Sequence, residues 1–324
     1  MTLTLDVSLA AGPGAITHTG GPLLITGPAG SGKTSLLLQR FQWLVQRGSI
    51  PDRIVLLAPT AARAQAARAH LEQALDEGYG ELLLGTPAQL ATLICARAGD
   101  RAELLAELDT LREQGFSFCA ISEELGELDY GSRAVRVIID PIDGSLNAKR
   151  GLPHHALSVA VAGGETMADV EFGYVYDFGP AEEWWAVRDR GAWLNGERLD
   201  PSLGERRGRD GRLEVLGIES ADPRWVAASI DSLVGSAYRL RALGTIAASL
   251  CQVAAARFDG LVSLRRCRAV DAAAGQLIVR EAGGVVSFPS FEDRLSAPLD
   301  AQPRSPVIAA RCAETLRELE SIPA

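Results

Sequence analysis

Residues 140–145 read Asp-Pro-Ile-Asp-Gly-Ser, directly after the β-rich run Val135-Arg136-Val137-Ile138-Ile139. Two carboxylates three residues apart, at the end of a buried strand and ahead of a helix start, can hold a divalent cation where a phosphate would dock. In open α/β folds ligands gather at the carboxyl ends of strands. Mg²⁺ takes carboxylate oxygens together with phosphate oxygens of a substrate. Taken alone, the hexapeptide also reads as an ordinary turn, because Pro and Asp-Gly are turn formers. A calcium loop of the EF-hand kind is excluded by spacing, since position 12 counted from Asp140 is Gly151 and not a glutamate.

Further acidic residues strengthen the metal reading. Glu123-Glu124 follow the apolar-flanked Phe116-Ser117-Phe118-Cys119-Ala120-Ile121, and Asp271 lies in Val270-Asp271-Ala272-Ala273-Ala274-Gly275, ahead of Glu281-Ala282-Gly283-Gly284. Such a set suits metal-assisted phosphate chemistry.

From about residue 100 onward the chain resembles the inositol monophosphatase family of Mg²⁺-dependent, lithium-sensitive phosphatases. The resemblance rests on the Glu pair at 123–124, Asp-Pro-Ile-Asp-Gly-Ser-Leu-Asn at 140–147, Leu243-Gly244-Thr245, and Asp271-Ala-Ala-Ala-Gly with Glu281-Ala-Gly-Gly, in the family's order. It implies an α/β fold, an α+β layered sandwich of that family's type over residues 99–324. It also implies that Glu123, Asp140 and the Ile142 carbonyl hold one Mg²⁺, with Asp140 bridging to a second held by Asp143 and Asp271. Such a pair can activate water on one side and steady the leaving oxygen on the other. The Gly144 and Ser145 amides would cradle the phosphate at a helix start, the Ser145 hydroxyl would orient the water, and Gly244 and Thr245 would form a second anion-friendly helix start. The implied partner is a small phosphate monoester, and the resemblance admits a homodimer.

The chain departs from the family in three places. Asp100 sits where a further aspartate binds a third metal, but the Thr expected before it is missing and Glu103 follows one residue too close. Leu264 stands seven residues before Asp271, where inositol-handling members place a glutamate for a ring hydroxyl. This leaves sugar or other small phosphate monoesters as expected substrates. The family's opening helices are replaced by Gly27-Pro-Ala-Gly30-Ser31-Gly32-Lys33-Thr34, between the apolar Leu23-Leu24-Ile25-Thr26 and Ser35-Leu36-Leu37-Leu38. Strand, glycine loop, Lys-Thr and helix form the full P-loop context. Its amides would cradle phosphates, Lys33 would reach the β/γ oxygens and Thr34 would take Mg²⁺, which makes it a candidate ATP site.

Residues 1–98 resemble the opening of UvrD-type superfamily 1 DNA helicases. The support is the P-loop, the strand Arg53-Ile54-Val55-Leu56-Leu57-Ala58-Pro59-Thr60, an Arg/Ala-rich helix through Leu75, and Leu84-Gly85-Thr86-Pro87-Ala88-Gln89-Leu90. The later helicase motifs are absent, so nucleotide turnover and unwinding are not expected. The rival to a phosphatase is therefore an ATP-binding P-loop module with an inert phosphatase half.

With 324 residues and 47% apolar content, two domains with ample core are expected. A net charge of −9 and a pI near 5.1 argue against a general nucleic-acid surface. No signal peptide and no apolar stretch long enough for a span are visible, so a cytoplasmic protein without membrane partners is expected. Five scattered cysteines lack metal or redox spacing. Lysine occurs only as Lys33 and Lys149, and Lys149 beside Arg150 is placed to steer an anionic substrate. Strand-like runs cover 155–162, 170–176, 184–188 and 213–218, Asn195-Gly196 marks a hairpin, and helices are expected over 245–257 and around Asp271.

Overall fold

The structure is a computed structural model that describes residues 13–17, 32–49, 54, 56–57, 61–75, 84–85, 105, 108–109, 111–113 and 116–323. The chain divides into two compact units, Met1–Leu90 and Ala91–Ala324.

In the first unit the described elements are α1 (Pro13–Ile16), α2 (Lys33–Gln46), β1 (Leu56–Leu57), α3 (Ala61–Ala74) and β2 (Leu84–Gly85). β1 and β2 pair in parallel, Leu56 opposite Leu84. Apolar residues three and four apart face one side of each helix, so Leu38 and Phe41 of α2 bury against Ala67 and Leu71 of α3. Arg68 pairs with Glu72 one turn along α3, an exposed i,i+4 contact that adds a few tenths of a kcal/mol, about 0.3–0.5.

Among its described residues the second unit has two sheets. The larger has seven strands in sequence order: β3 (Phe118–Ser122), β4 (Gly126–Asp143), β5 (Ala156–Ala162), β6 (Val170–Asp177), β7 (Glu182–Val187), β8 (Gly191–Leu194) and β9 (Glu197–Arg198). β3 runs parallel to the second half of β4, with Cys119 opposite Arg136 and Ser122 opposite Ile139. Every later neighbour is antiparallel. The expected hairpin turn joins β8 to β9, and Asn195 and Gly196 take the two positive φ values, 50° and 82°, that a tight primed turn requires. Beside it, Trp185 stacks on Trp193 at 3.9 Å and Trp184 is fully buried. The tryptophans are hydrophobic cover.

The smaller sheet has the order β11 (Ala237–Arg241), β10 (Leu213–Glu219), β12 (Gly260–Ser263), β14 (Ile308–Ala310), β13 (Val285–Ser287). Its first three strands are parallel and the last two pair antiparallel. The helices of this unit include α4 (Ser145–Arg150), α5 (Pro223–Ala228), α6 (Ile230–Ser236), α7 (Ile246–Ala254), α8 (Ala269–Glu281) and α9 (Ala313–Leu319).

Two helices make the core. α7 and α8 are mostly apolar and enclosed, with α7 buried from Ala247 to Ala254 and α8 buried continuously from Ala269 to Val279, the polar Ser249, Gln252, Asp271 and Gln276 included. Their alanines, with Leu250, Leu277 and Ile278, pack on Ile138, Ala160, Val175 and Trp184 of the larger sheet. Small residues at 272–275 let α8 lie close, and its N-terminus then comes up at the carboxyl end of β4. Among the described residues no helix is long and apolar enough to cross a membrane.

Candidate active site

The site begins where β4 stops pairing with β5. The ladder runs regularly to Asp140 opposite Ser158 and resumes, after an irregularity, at Asp143 opposite Ala156. Pro141 has no N–H to give a ladder, and the Asp140 side chain stabilises the break, because Ile142 N–H donates to Asp140 Oδ1 at 2.9 Å. That leaves Asp140 Oδ2 buried without a hydrogen-bond partner.

Opposite it, Ser158 Oγ donates to the Val270 carbonyl at 3.2 Å, tying β5 to the first turn of α8. Asp271 is the third residue of that helix. Its Oδ2 accepts from Arg268 N–H at 2.9 Å, while Oδ1 is buried with no hydrogen bond and lies 3.4 Å from Arg268 Nη2 as an ion pair. Glu123 follows β3 at the same sheet end. One carboxylate oxygen each from Glu123, Asp140 and Asp271 lie within 4.8 Å of one another.

Asp143 is held differently. Its Oδ2 accepts from Thr245 Oγ1 at 2.6 Å and from Ala247 N–H at 2.7 Å, so the first turn of α7 is aimed at a carboxylate. Burial pushes Asp143 well up from the usual carboxylate range, and the charges of Asp140 and Asp271 add to this. Burial, then the charges of Asp271 and Glu123, push Asp140 up to about 7. Asp271 is also raised, chiefly by burial, with Arg268 pulling it back.

Gly144 makes the turn into α4 at φ +88°, and a Cβ there would meet the Gly244 and His154 carbonyls at 3.0 and 3.2 Å. Only glycine suits both the left-handed conformation and the close approach. Ser145 opens α4 and is exposed, and Lys149 is exposed in its last turn. The Gly244 N–H donates to both Glu219 oxygens, at 3.2 and 3.1 Å. With Thr245 Oγ1 on Asp143, the two donors expected to meet substrate phosphate are engaged inside the protein. Leu264 is 1% exposed in the core of the smaller sheet. Asp100, Gly27, Gly30 and Ser31 lie outside the described residues. Gly32, at φ +81°, precedes α2, which begins at Lys33 and Thr34.

Three contributors were not singled out from the sequence. Glu219, at the carboxyl end of β10, accepts from Leu243 N–H at 3.0 Å and Ser249 Oγ at 2.6 Å besides Gly244. It is a charged residue closing the apolar run Leu216-Gly217-Ile218, which is its one sequence signal. Asn147 Nδ2 donates to the carbonyls of His154 and Leu243 at 2.8 and 2.7 Å, stitching α4 to the 243–245 turn. Arg268 is marked by its spacing, three residues before Asp271 at a helix start. Glu281, by contrast, is remote from the cluster in its bonding, since its oxygens accept from Asp189 and Gly191 N–H at 3.0 and 2.9 Å.

The profile described as "Inositol monophosphatase family" matches residues 91–322. The chain belongs to the inositol monophosphatase family. A Methanothermobacter thermautotrophicus protein named fructose-1,6-bisphosphatase/inositol-1-monophosphatase is 34% identical, over 65% of this chain and 76% of that protein. The Nus factor SuhB of Escherichia coli K12 is 37% identical, over 58% of this chain and 69% of that protein. A solved inositol monophosphatase–fructose 1,6-bisphosphatase superposes with a TM-score of 0.56 at 27% identity, covering 67% of this chain and 81% of the other.

A second profile, "UvrD/REP helicase N-terminal domain", matches residues 12–155, so the two family likenesses overlap between 91 and 155. Within the overlap β3 and β4 are strands of the seven-stranded sheet of the phosphatase-like unit, and α4 follows β4 directly.

The site suits a hard cation. Buried carboxylate oxygens without hydrogen bonds, Asp140 Oδ2 and Asp271 Oδ1, sit beside further negative charge, an arrangement that oxygen-seeking Mg²⁺ relieves.

Proposed function

We propose that this family member is a Mg²⁺-dependent phosphomonoesterase acting on a small phosphate ester, with residues 99–324 as its phosphatase domain. The observation that carries the reading is the convergence of Glu123, just after β3, with Asp140 of β4 and Asp271 of α8, with two buried oxygens left for a cation.

Glu123, Asp140 and the Ile142 carbonyl would hold one ion, and Asp140, Asp143 and Asp271 a second, with Asp100 the candidate for a third. The chemistry that Mg²⁺ supplies when bound is a lowered pKa for water and charge to steady a departing alkoxide. The remaining work falls to the chain. The Gly144 and Ser145 amides orient the phosphate, and the Ser145 hydroxyl orients the attacking water. Thr245 and Ala247 fix the Asp143 carboxylate through its Oδ2. Water adds to phosphorus as the ester P–O bond breaks, and the products are the alcohol and inorganic phosphate.

We assign Gly244 and Thr245 a supporting role, because Glu219 and Asp143 already take their donors. Buried Leu264 offers no acceptor for a ring hydroxyl, which favours sugar or other small phosphate esters over a strict preference for inositol phosphate. Lys149 and Arg150 would draw the anion in.

The test is phosphate release from inositol-1-phosphate, fructose-1,6-bisphosphate and glycerol phosphate with Mg²⁺, with and without Li⁺. Mg²⁺-dependent, Li⁺-sensitive release that vanishes in Asp143→Ala is expected. Release from none of them, or unchanged release by the variant, overturns the assignment.

A further inference from the structure

We propose that Arg268 is the internal counter-cation of the acidic cluster: it bridges Glu123 and Asp271 and competes with a divalent cation for them. This rests on the reading of the cluster as a metal site. Arg268 occupies the N-cap of α8, a position where Ser, Thr, Asp or Asn is usual. Its backbone N–H binds Asp271 Oδ2 at 2.9 Å, and its guanidinium turns back over the same carboxylate, with Nη2 3.4 Å from Asp271 Oδ1. Nη1 meanwhile binds Glu123 Oε1, on a residue 145 positions away. One side chain thus touches two of the three carboxylates that converge, and its charge is permanent at any working pH.

The neighbouring arginine Arg265 is engaged elsewhere, lying over the Trp225 ring at 5.5 Å. Without a cation, three carboxylates this close repel one another, and Arg268 is placed to relieve that. The same contact opposes metal binding. An oxygen bound to a guanidinium is lost as a ligand, and a positive charge this near raises the energy of a second cation whether or not the contact breaks. By linkage, what stabilises the metal-free cluster weakens its affinity for metal by the same factor. Arg268 is therefore a positioning residue that sets metal affinity.

The experiment is calorimetric titration of metal-stripped, full-length protein with Mn²⁺ and Mg²⁺, without substrate, for wild type, Arg268→Gln and Arg268→Lys. The backbone bond to Asp271 survives in both variants. Arg268→Gln is expected to bind metal about tenfold more tightly, a coupling of ordinary size, and Arg268→Lys to change less. The metal-stripped Arg268→Gln protein is expected to unfold at a lower temperature than wild type, and the metal-saturated one at the same temperature. Equal or weaker metal affinity in Arg268→Gln overturns the proposal. An Asp140→Asn control separates the two readings. If it binds Mn²⁺ as wild type does, the cluster is not the metal site. If it loses binding while Arg268→Gln is unchanged, the role of Arg268 alone fails.

Discussion

At 140–145 a turn leaves a buried strand and enters α4; at 27–34 a glycine-rich run leads into α2. Both pass through a left-handed glycine, Gly144 at φ +88° and Gly32 at φ +81°. Both would serve as phosphate turns on their local sequence. What surrounds them differs. Around the first, the turn after β3 brings Glu123, α8 and its N-cap bring Asp271 and Arg268, and the start of α7 sets Thr245 and Ala247 onto Asp143. Below the first turn of α2, the described packing is apolar, Leu38 and Phe41 against α3. A turn motif supplies shape, whereas chemistry needs remote side chains that only a complete fold delivers.

The sharpest way to break this contrast is Asp143→Ala. If the remote partners matter as argued, kcat/KM with Mg²⁺ should fall on the order of 10³-fold or more, about 4 kcal/mol of barrier. Steady-state kinetics at saturating metal read the effect, and a loss below tenfold would place Asp143 outside the chemistry.

The sequence made the carboxylates visible because each sits in a contiguous string whose residue types and order are distinctive. It also showed β5, β6 and β7 of the larger sheet and β10 of the smaller one, since these are short runs of β-branched and apolar residues bounded by turns. It could not show which donors are already spent. The Gly244 amide looks free in a list of residues, and only the fold reveals Glu219 beneath it. Arg268 was hidden for a related reason: arginines at 265, 266 and 268 look like a solvated run, and their directions diverge only in three dimensions.

Glu219 gives the next largest effect. Burial pushes it up from 4.5 to about 7, against the pull of hydrogen bonds from Ser249 and the 243–245 turn. A carboxyl raised on folding binds protons more readily in the native state. Its contribution to stability is therefore full below pH 4.5 and is lost as pH rises through 7. Between pH 5 and 8 wild type should lose about 3 kcal/mol from this group. Glu219→Gln removes the titration, so its urea-unfolding curves should be flatter across that range. Parallel pH dependence in both proteins would show that Glu219 does not titrate there.

The two glycines that flank α4 make a smaller, internally controlled comparison. Gly151 is also left-handed, at φ +65°, but a Cβ there meets nothing within 4 Å, while one on Gly144 meets backbone at 3.0 Å. Gly151→Ala should cost about 1 kcal/mol of backbone strain and leave kinetics intact. Gly144→Ala should cost about 2 kcal/mol and lower kcat/KM at least tenfold, because the 243–245 turn must move. Melting temperature and kcat/KM on the pair separate strain from displacement.

The smallest effect is expected at Lys33. The buried cluster beneath Asp140, Asp143 and Asp271 is assembled, among the described residues, from positions between Cys119 and Ala309. The N-terminal unit has its own cluster, centred on Phe41 and Leu71. Lys33→Ala should therefore leave phosphatase kcat/KM within about twofold, the scatter ordinary for a surface substitution. The same variant should lose any saturable binding of a fluorescent ATP analogue, since the loop lysine supplies the charge that meets the β/γ phosphates. A tenfold fall in phosphatase activity in Lys33→Ala would mean that the P-loop run serves the carboxylate site, and the contrast between the two turns would then describe one active site instead of two independent motifs.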